Sequence, residues 1–68
     1  MHKQAYDAKG SHIGTFDGEF LYSMSGKIAL RVDGDEVYTT EIPCKCIGVY
    51  ESNEARKLDG SLLFRTEE

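Results

Sequence analysis

Hydrophobic and polar residues alternate along short segments of this chain, and residues that favour turns separate the segments. A period of two residues indicates strands with one side facing a core. Apart from one short segment discussed below, no stretch has the i, i+3, i+4 apolar spacing of a helix, and Gly, Tyr, Val, Ile and Thr are frequent. The pattern predicts strands at about 11–16, 19–23, 27–32, 35–42, 45–51, 54–58 and 61–66.

Asp-Gly pairs mark the predicted turns. Three of the five Asp residues precede Gly, whereas composition predicts about 0.5 such pairs. The two residues suit the centre of a type I′ turn, in which both have φ > 0. A turn of this kind at Asp33-Gly34 would place Arg31 opposite Glu36. The pairs are Asp17-Gly18, Asp33-Gly34 and Asp59-Gly60.

The chain also repeats itself with a period of 16 residues. This shift superposes Tyr6, Tyr22 and Tyr38, and it superposes Gly10 on Gly26. We therefore predict one all-β domain over 1–68, with two hairpin repeats in 6–38 and a diverged third hairpin unit in 44–66. Its strands, six to seven in number, would form an antiparallel meander folded as a small sandwich or squat barrel.

Alternation carried through the turns assigns the strand residues to two faces. The predicted core face holds Phe16, Leu21, Ile28, Leu30, Val32 and Val37. The other face is also unusually apolar, and holds Ile13, Thr15, Phe20, Tyr22, Met24, Ala29, Arg31, Glu36, Tyr38 and Ile42. Either the C-terminal hairpin, with Leu62 and Phe64, or a second copy of the chain would cover this face; exposed aromatic residues on a wet sheet are the alternative.

Two segments interrupt the regular pattern. Pro43 cannot donate a ladder hydrogen bond, so a sheet corner or an edge bulge is expected there, where the repeat also breaks. An interrupted repeat is a natural place for a binding loop. Farther on, Ser52 or Asn53 would cap a single helical turn in 52–57, although a loop or a strand is also compatible with that segment.

Size and charge limit the classes of function. A domain of 68 residues buries only about 60% of its unfolded surface, so a disulfide, a metal or a partner subunit is expected to stabilise it. The net charge of −4 argues against nucleic acid as a partner. No stretch approaches the ~20 apolar residues of a membrane span, and the first residues lack a signal-peptide pattern, so no membrane partner and a cytoplasmic location are expected.

The candidate chemistry is sparse. Cys44-Lys45-Cys46 places two sulfurs on one side of a strand, but zinc pairs usually have wider spacing and need further ligands, here His2 and His12. Reduced structural cysteines are the favoured interpretation, and a disulfide between them would be strained. The Ser, His and Asp residues form no recognisable catalytic arrangement. No catalytic residue and no cofactor are therefore predicted.

The segment Tyr6-Asp7-Ala8-Lys9-Gly10, followed by Asp17-Gly18, resembles the Tyr-Asp repeat of bacterial Rhs-type and teneurin shells. Those shells consist of stacked β-hairpins. The chain also resembles small bacterial proteins of mobile elements, such as those of integron cassettes. These resemblances imply hairpin architecture and transfer no functional residue.

Three functions follow as hypotheses. The first is a non-enzymatic binding or assembly module, a homodimer or higher oligomer or the binder of a protein partner, which uses the partner-binding residues Phe20, Tyr22, Tyr38 and Ile42. The second is an acidic effector that imitates nucleic acid with Glu19, Asp35, Glu36, Glu41, Glu67 and Glu68. The third is a small metal or redox protein that uses Cys44 and Cys46.

Overall fold

Residues 2–67 are described by a computed structural model, in which they form eight antiparallel strands and no helix. The strands are β1 (Lys3–Tyr6), β2 (His12–Phe16), β3 (Phe20–Ser23), β4 (Ile28–Asp33), β5 (Glu36–Tyr38), β6 (Cys46–Glu51), β7 (Glu54–Lys57) and β8 (Leu62–Glu67). Each strand pairs with the next, and β8 pairs with β1 to close a small barrel. Within residues 2–67 there is no helix of the length and apolar character needed to cross a membrane.

The predicted all-β meander is confirmed, but its strand count was too low. The missed strand is β1, which has the sequence Lys-Gln-Ala-Tyr and buries only Ala5 completely. This segment carries little of the apolar alternation that identifies a strand locally. It becomes a strand because β2 and β8 both offer it hydrogen-bonding partners.

One irregularity recurs in four of the seven successive hairpins of the barrel. The register shifts by one residue after Ala5, Leu21, Val37 and Ala55, in the pairs β1–β2, β3–β4, β5–β6 and β7–β8. At each shift the second strand of the pair contains one extra residue, so that two of its residues lie opposite one residue of the first strand. This arrangement is a β-bulge. Successive bulges lie 16, 16 and 18 residues apart. The repeating unit of the structure is thus one bulged hairpin, and the third unit is two residues longer.

The bulge between β3 and β4 corrects the predicted position of Ile28. Leu21 pairs with Leu30, but Tyr22 pairs with Ile28, so Ala29 is the extra residue. Simple alternation fails across such a bulge because the extra residue reverses the faces. Ile28 consequently points outward and is 44% exposed. The other five predicted core residues belong to the core or pack against it: Phe16, Leu21, Leu30, Val32 and Val37.

An aromatic cluster occupies the centre of the barrel. The ring of Phe16 lies 5.0 Å from that of Tyr50 and 5.7 Å from that of Phe64, and the rings of Tyr50 and Phe64 are 5.9 Å apart. The hydroxyl of Tyr50 lies 2.8 Å from Oγ1 of buried Thr66. The C-terminal hairpin therefore does not fold over the outer face, as one prediction had it. It closes the barrel and places Phe64 inside.

The Asp-Gly pairs do not form the type I′ turns that were predicted. Asp33 pairs with Glu36, so the turn consists of Gly34 and Asp35, and Arg31 lies opposite Tyr38 rather than Glu36. The register differs from the prediction by two residues, which preserves the faces because the side-chain period is two. Asp17 shows why the aspartate precedes the turn: its Oδ1 accepts the N–H groups of Glu19 and Phe20.

The type I′ signature belongs to Ser52 and Asn53 instead. They have φ values of 53° and 66°, and they connect β6 to β7 where Glu51 pairs with Glu54. Two consecutive residues with positive φ are characteristic of this tight turn. The helical turn considered for 52–57 is therefore not formed. Residues Glu54–Lys57 are a strand.

The third Asp-Gly pair lies at the opposite end of the barrel from the other two. The N–H of Gly60 donates to the carbonyl of Lys57, as that of Gly10 does to Asp7 and that of Gly26 to Ser23. These three turns have the same form. The corresponding connection between β5 and β6 is a longer loop, 39–45, closed by the N–H of Thr39 donating to the carbonyl of Lys45. The strand predicted to reach Ile42 accordingly ends at Tyr38.

Candidate functional site

Charges are distributed unequally between the two ends of the barrel. Because the strands form a meander, connections 7–11, 24–27, 39–45 and 58–61 share one end, and connections 17–19, 34–35 and 52–53 share the other. The first, which we call the lysine end, carries Lys9, Lys27, Lys45, Lys57, Asp7, Glu41 and Asp59. The second, which we call the acidic end, carries Asp17, Glu19, Asp33, Asp35, Glu36, Glu51, Glu54 and Glu67.

Basic groups offset only part of the charge at the acidic end. Lys3 begins β1 there, Arg31 forms ion pairs with Glu19 and Asp33, Arg56 pairs with Glu54, and Arg65 pairs with Glu67. The carboxylates remain in excess. The net charge of −4 is therefore concentrated at one end of the molecule.

Exposed apolar side chains concentrate at the lysine end. Ile42 is 99% exposed, Leu58 75% and Met24 68%, and Ile28, the first residue of β4, is 44% exposed. These are four of the five large hydrophobic residues found exposed in the described chain; the fifth is Val49, on β6. The lysine end thus combines charges of both signs with three exposed apolar side chains in its connections, Met24, Ile42 and Leu58, which we call the apolar tips.

The loop 39–45 forms one wall of a groove whose lining includes Ile28 and Ile42. It spans seven residues, whereas the equivalent turn closed by Asp7 and Ser11 spans five, and its Ile42–Pro43 peptide bond is cis. The N–H of Lys45 donates to Oγ1 of Thr39 across the base of the loop. The groove has a volume of about 590 Å³ and is lined by Phe20, Ile28, Arg31 and residues 39–44. The two inserted residues therefore supply the wall that the tight turns lack.

The structure brings together two of the four predicted partner-binding residues. Phe20 and Ile42 line the groove. The ring of Tyr22 lies 6.2 Å from that of Phe20, tilted by 56°, and its hydroxyl donates to Asp17. The hydroxyl of Tyr38 donates to Glu36. Partial burial, followed by the Asp17 carboxylate, raises the pKa of Tyr22. The Glu36 carboxylate raises the pKa of Tyr38. Both phenols therefore remain protonated donors at neutral pH.

Leu58 is a surface residue that the sequence did not identify as a candidate for binding, and Met24 was placed on the apolar outer face but not among the partner-binding residues. Each stands two residues before the glycine of a tight turn, Gly26 and Gly60. Turn positions of this kind are normally polar. A large apolar residue at such a position is the signal that would have identified both.

The structure leaves the two cysteines free and exposed. The thiol of Cys46 lies 3.8 Å from Oε2 of Glu36. His2 and His12 line a different groove, together with Met24. Within residues 2–67, no group of three or more His, Cys, Asp or Glu side chains is placed to hold a metal ion. The metal or redox hypothesis thus gains no further ligand from the fold.

The residues proposed to imitate phosphates divide between the two ends. Glu19, Asp35, Glu36 and Glu67 lie at the acidic end, whereas Glu41 lies in the loop at the lysine end. Glu68 lies outside the described residues. The acidic surface therefore excludes Glu41, but it gains Asp17, Asp33, Glu51 and Glu54.

Asp17 is expected to make stability depend on acid pH. The N–H of Phe20, and then that of Glu19, hold the pKa of Asp17 below its ordinary value. A lowered pKa in the folded state stabilises the fold above the unfolded pKa of about 3.9, and that stabilisation is lost as the pH falls through the folded value. Below about pH 4, the stability of Asp17→Asn should therefore fall less with decreasing pH than that of the wild type.

The measurement is the melting temperature of both proteins between about pH 6 and pH 2. Asp35→Asn is the matched control, because it removes one carboxylate from the acidic end while the carbonyl of Asp35 keeps its bond to the N–H of Tyr50. Parallel acid profiles for Asp17→Asn and the wild type would show that the turn bonds do not favour the ionised carboxyl.

Comparisons with known proteins identify no relative of this chain. No family model, no curated protein and no solved structure matches it.

Proposed function

We propose that this chain is a small non-enzymatic assembly module that self-associates through the apolar surface around Ile42. One observation carries the proposal: a side chain of this size is 99% exposed at the rim of an apolar groove. Contiguous exposed apolar surface on a small protein commonly marks an interaction site. A second copy would remove this surface from water. Phe20 belongs to the same surface, with Tyr22 and Tyr38 beside it.

Closure of the barrel limits how another chain can bind. Every strand has two hydrogen-bonded neighbours, so no long open edge is available for strand addition. Contact must therefore be made by side chains and loops. The loop 39–45 suits this role because it interrupts an otherwise regular set of turns, and irregular loops on a rigid scaffold often carry binding residues.

Self-association is tested by size-exclusion chromatography with light scattering. The wild type should show a mass above the 7.6 kDa of one chain, and Ile42→Asp should return the mass to that value. Val49→Asp is the matched control: it introduces the same charge at a side chain that is 39% exposed on β6, and it should associate like the wild type. A wild-type monomer at concentrations of about 100 μM would refute the proposal.

The acidic end supports a second candidate function, an effector that occupies the basic site of a nucleic-acid-binding protein. Eight carboxylates lie at this end, and a one-sided negative field favours encounters with a basic surface. Competition with duplex DNA for a basic DNA-binding protein tests it. The effector should displace the DNA at low salt and lose this effect at high salt. The double variant Asp35→Asn/Glu36→Gln should compete less well.

A further inference from the structure

We infer that two copies of this chain meet end to end, with the lysine end of one against the lysine end of the other about a two-fold axis. The inference rests on the proposed self-association and specifies its geometry. Three independent features lead to it: the placement of the apolar tips, the order of charges around them, and the size of the end surface.

The apolar tips surround the end of the barrel rather than lying along one side. Met24 belongs to the connection between β3 and β4, Ile42 to that between β5 and β6, and Leu58 to that between β7 and β8. A side-by-side contact over β3, β4 and β5 would cover Ile42 but leave Leu58 in water. An end-to-end contact buries all three tips at once.

The charges at the lysine end of one copy are able to match those at the lysine end of a second copy. Acidic and basic residues lie within or beside the same connection, as Asp7 does with Lys9, Glu41 with Lys45, and Asp59 with Lys57. A two-fold contact pairs identical surfaces, so a lysine of one copy is able to face a carboxylate of the other.

The acidic end gives no such match. Two acidic ends would repel each other, because carboxylates dominate both. In a head-to-tail stack, the acidic end of one copy would cover the apolar tips of the next with charged groups, which is a poor environment for them. Among the three arrangements of two ends, only lysine end to lysine end satisfies both the apolar side chains and the charges.

The available area is sufficient for a modest dimer. The molecule measures 27 × 24 × 20 Å. An end of this width presents roughly 500 Å², so two ends bury on the order of 1,000 Å², near the lower limit for a specific interface. We therefore expect reversible association in the micromolar range rather than a permanent dimer.

One variant separates this arrangement from a side-by-side dimer, and a second is its matched control. Leu58→Asp changes a tip that only the end contact buries, whereas Val49→Asp introduces the same charge on the outer side of β6, outside the groove. Leu58→Asp should raise the dissociation constant at least about 100-fold, and Val49→Asp should change it by less than about threefold. Light scattering measures both constants, and circular dichroism verifies that each variant folds.

A dilution series of the wild type provides a test without mutation. Backbone amide signals in an NMR spectrum should move with concentration for residues 23–27, 39–45 and 57–61, and should stay fixed for 34–35 and 52–53 at the acidic end. Movement along β3 to β5 in place of the 57–61 signals would overturn the end-to-end arrangement.

The possible results distinguish failure of this inference from failure of the proposed function. A dimer that survives Leu58→Asp overturns the end-to-end arrangement and leaves self-association standing. Loss of the dimer in both variants supports the arrangement only if the dilution series moves the 57–61 signals, and overturns it otherwise. A wild-type monomer overturns both.

Discussion

Phe64→Ala should remove a large part of the stability of this protein, about 3–5 kcal/mol of its free energy of unfolding. Phe64 is fully buried and is one of the two largest side chains with almost no exposed surface. Its ring packs against the aromatic rings of Phe16 and Tyr50, at 5.7 and 5.9 Å between ring centres. Alanine would leave a cavity in the centre of a rigid closed barrel, which cannot collapse without breaking strand pairs.

This loss is a large fraction of the total stability because the domain is small. At 0.05–0.15 kcal/mol per residue, 68 residues provide roughly 3–10 kcal/mol of total stability. Urea unfolding followed by circular dichroism measures the loss, and the melting temperature should fall by on the order of 20 °C. Val49→Ala, on the outer surface of β6, is the control and should cost about 0.5 kcal/mol or less. Equal losses in the two variants would show that the aromatic cluster is not the centre of the core.

Gly48→Ala is expected to be nearly as damaging, at about 3 kcal/mol, although it adds only one methyl group. A Cβ at this position would overlap the main-chain carbonyl oxygen of Arg56 and would lie 3.2 Å from Cδ1 of Leu63. Arg56 belongs to β7, which is paired with β6. Its carbonyl cannot withdraw without separating the two strands. Gly14 is in the same situation, because a Cβ there would overlap the main-chain oxygen of Tyr22.

Gly10→Ala provides the control that separates close approach from backbone conformation. Gly10 has a φ of 87°, and a Cβ there meets no atom within 4 Å. Alanine at that position should cost only the roughly 1–2 kcal/mol of a left-handed conformation. Urea unfolding of the three proteins gives the comparison. If Gly48→Ala proved no worse than Gly10→Ala, the close contact between β6 and β7 would not be essential for the fold.

Local sequence signals predicted most of the strands but not the exact geometry of the hairpins. Residues 62–67 and 46–51, for example, differ from their predicted spans by one residue at most at each end. Ile28 was assigned to the wrong face because nothing in the adjoining residues announces the bulge at Ala29. Asp-Gly was assigned to the wrong turn type because the same dipeptide serves before a turn, as at Asp17, and at the end of one, as at Gly60.

The candidate site was predictable only in part. Ile42 was identified as a residue of an apolar surface, and Pro43 as the place where the repeat breaks. Their participation with Phe20 in one groove depends on how β3, β4 and the loop 39–45 meet. The separation of lysines from carboxylates also depends on the meander, which assigns alternate connections to opposite ends of the barrel.

The sequence by itself determined that this protein consists of antiparallel hairpins, because alternation of apolar residues and the turn residues Gly, Asp and Asn act over only a few positions. The tertiary structure alone decided that the hairpins close into a barrel, since the pairing of β1 with β8 joins residues about sixty positions apart. Closure places Phe64 inside, requires glycine at 48 where two backbones meet, and gathers Met24, Ile42 and Leu58 at one end. These consequences arise from contacts between distant segments, which no local pattern encodes.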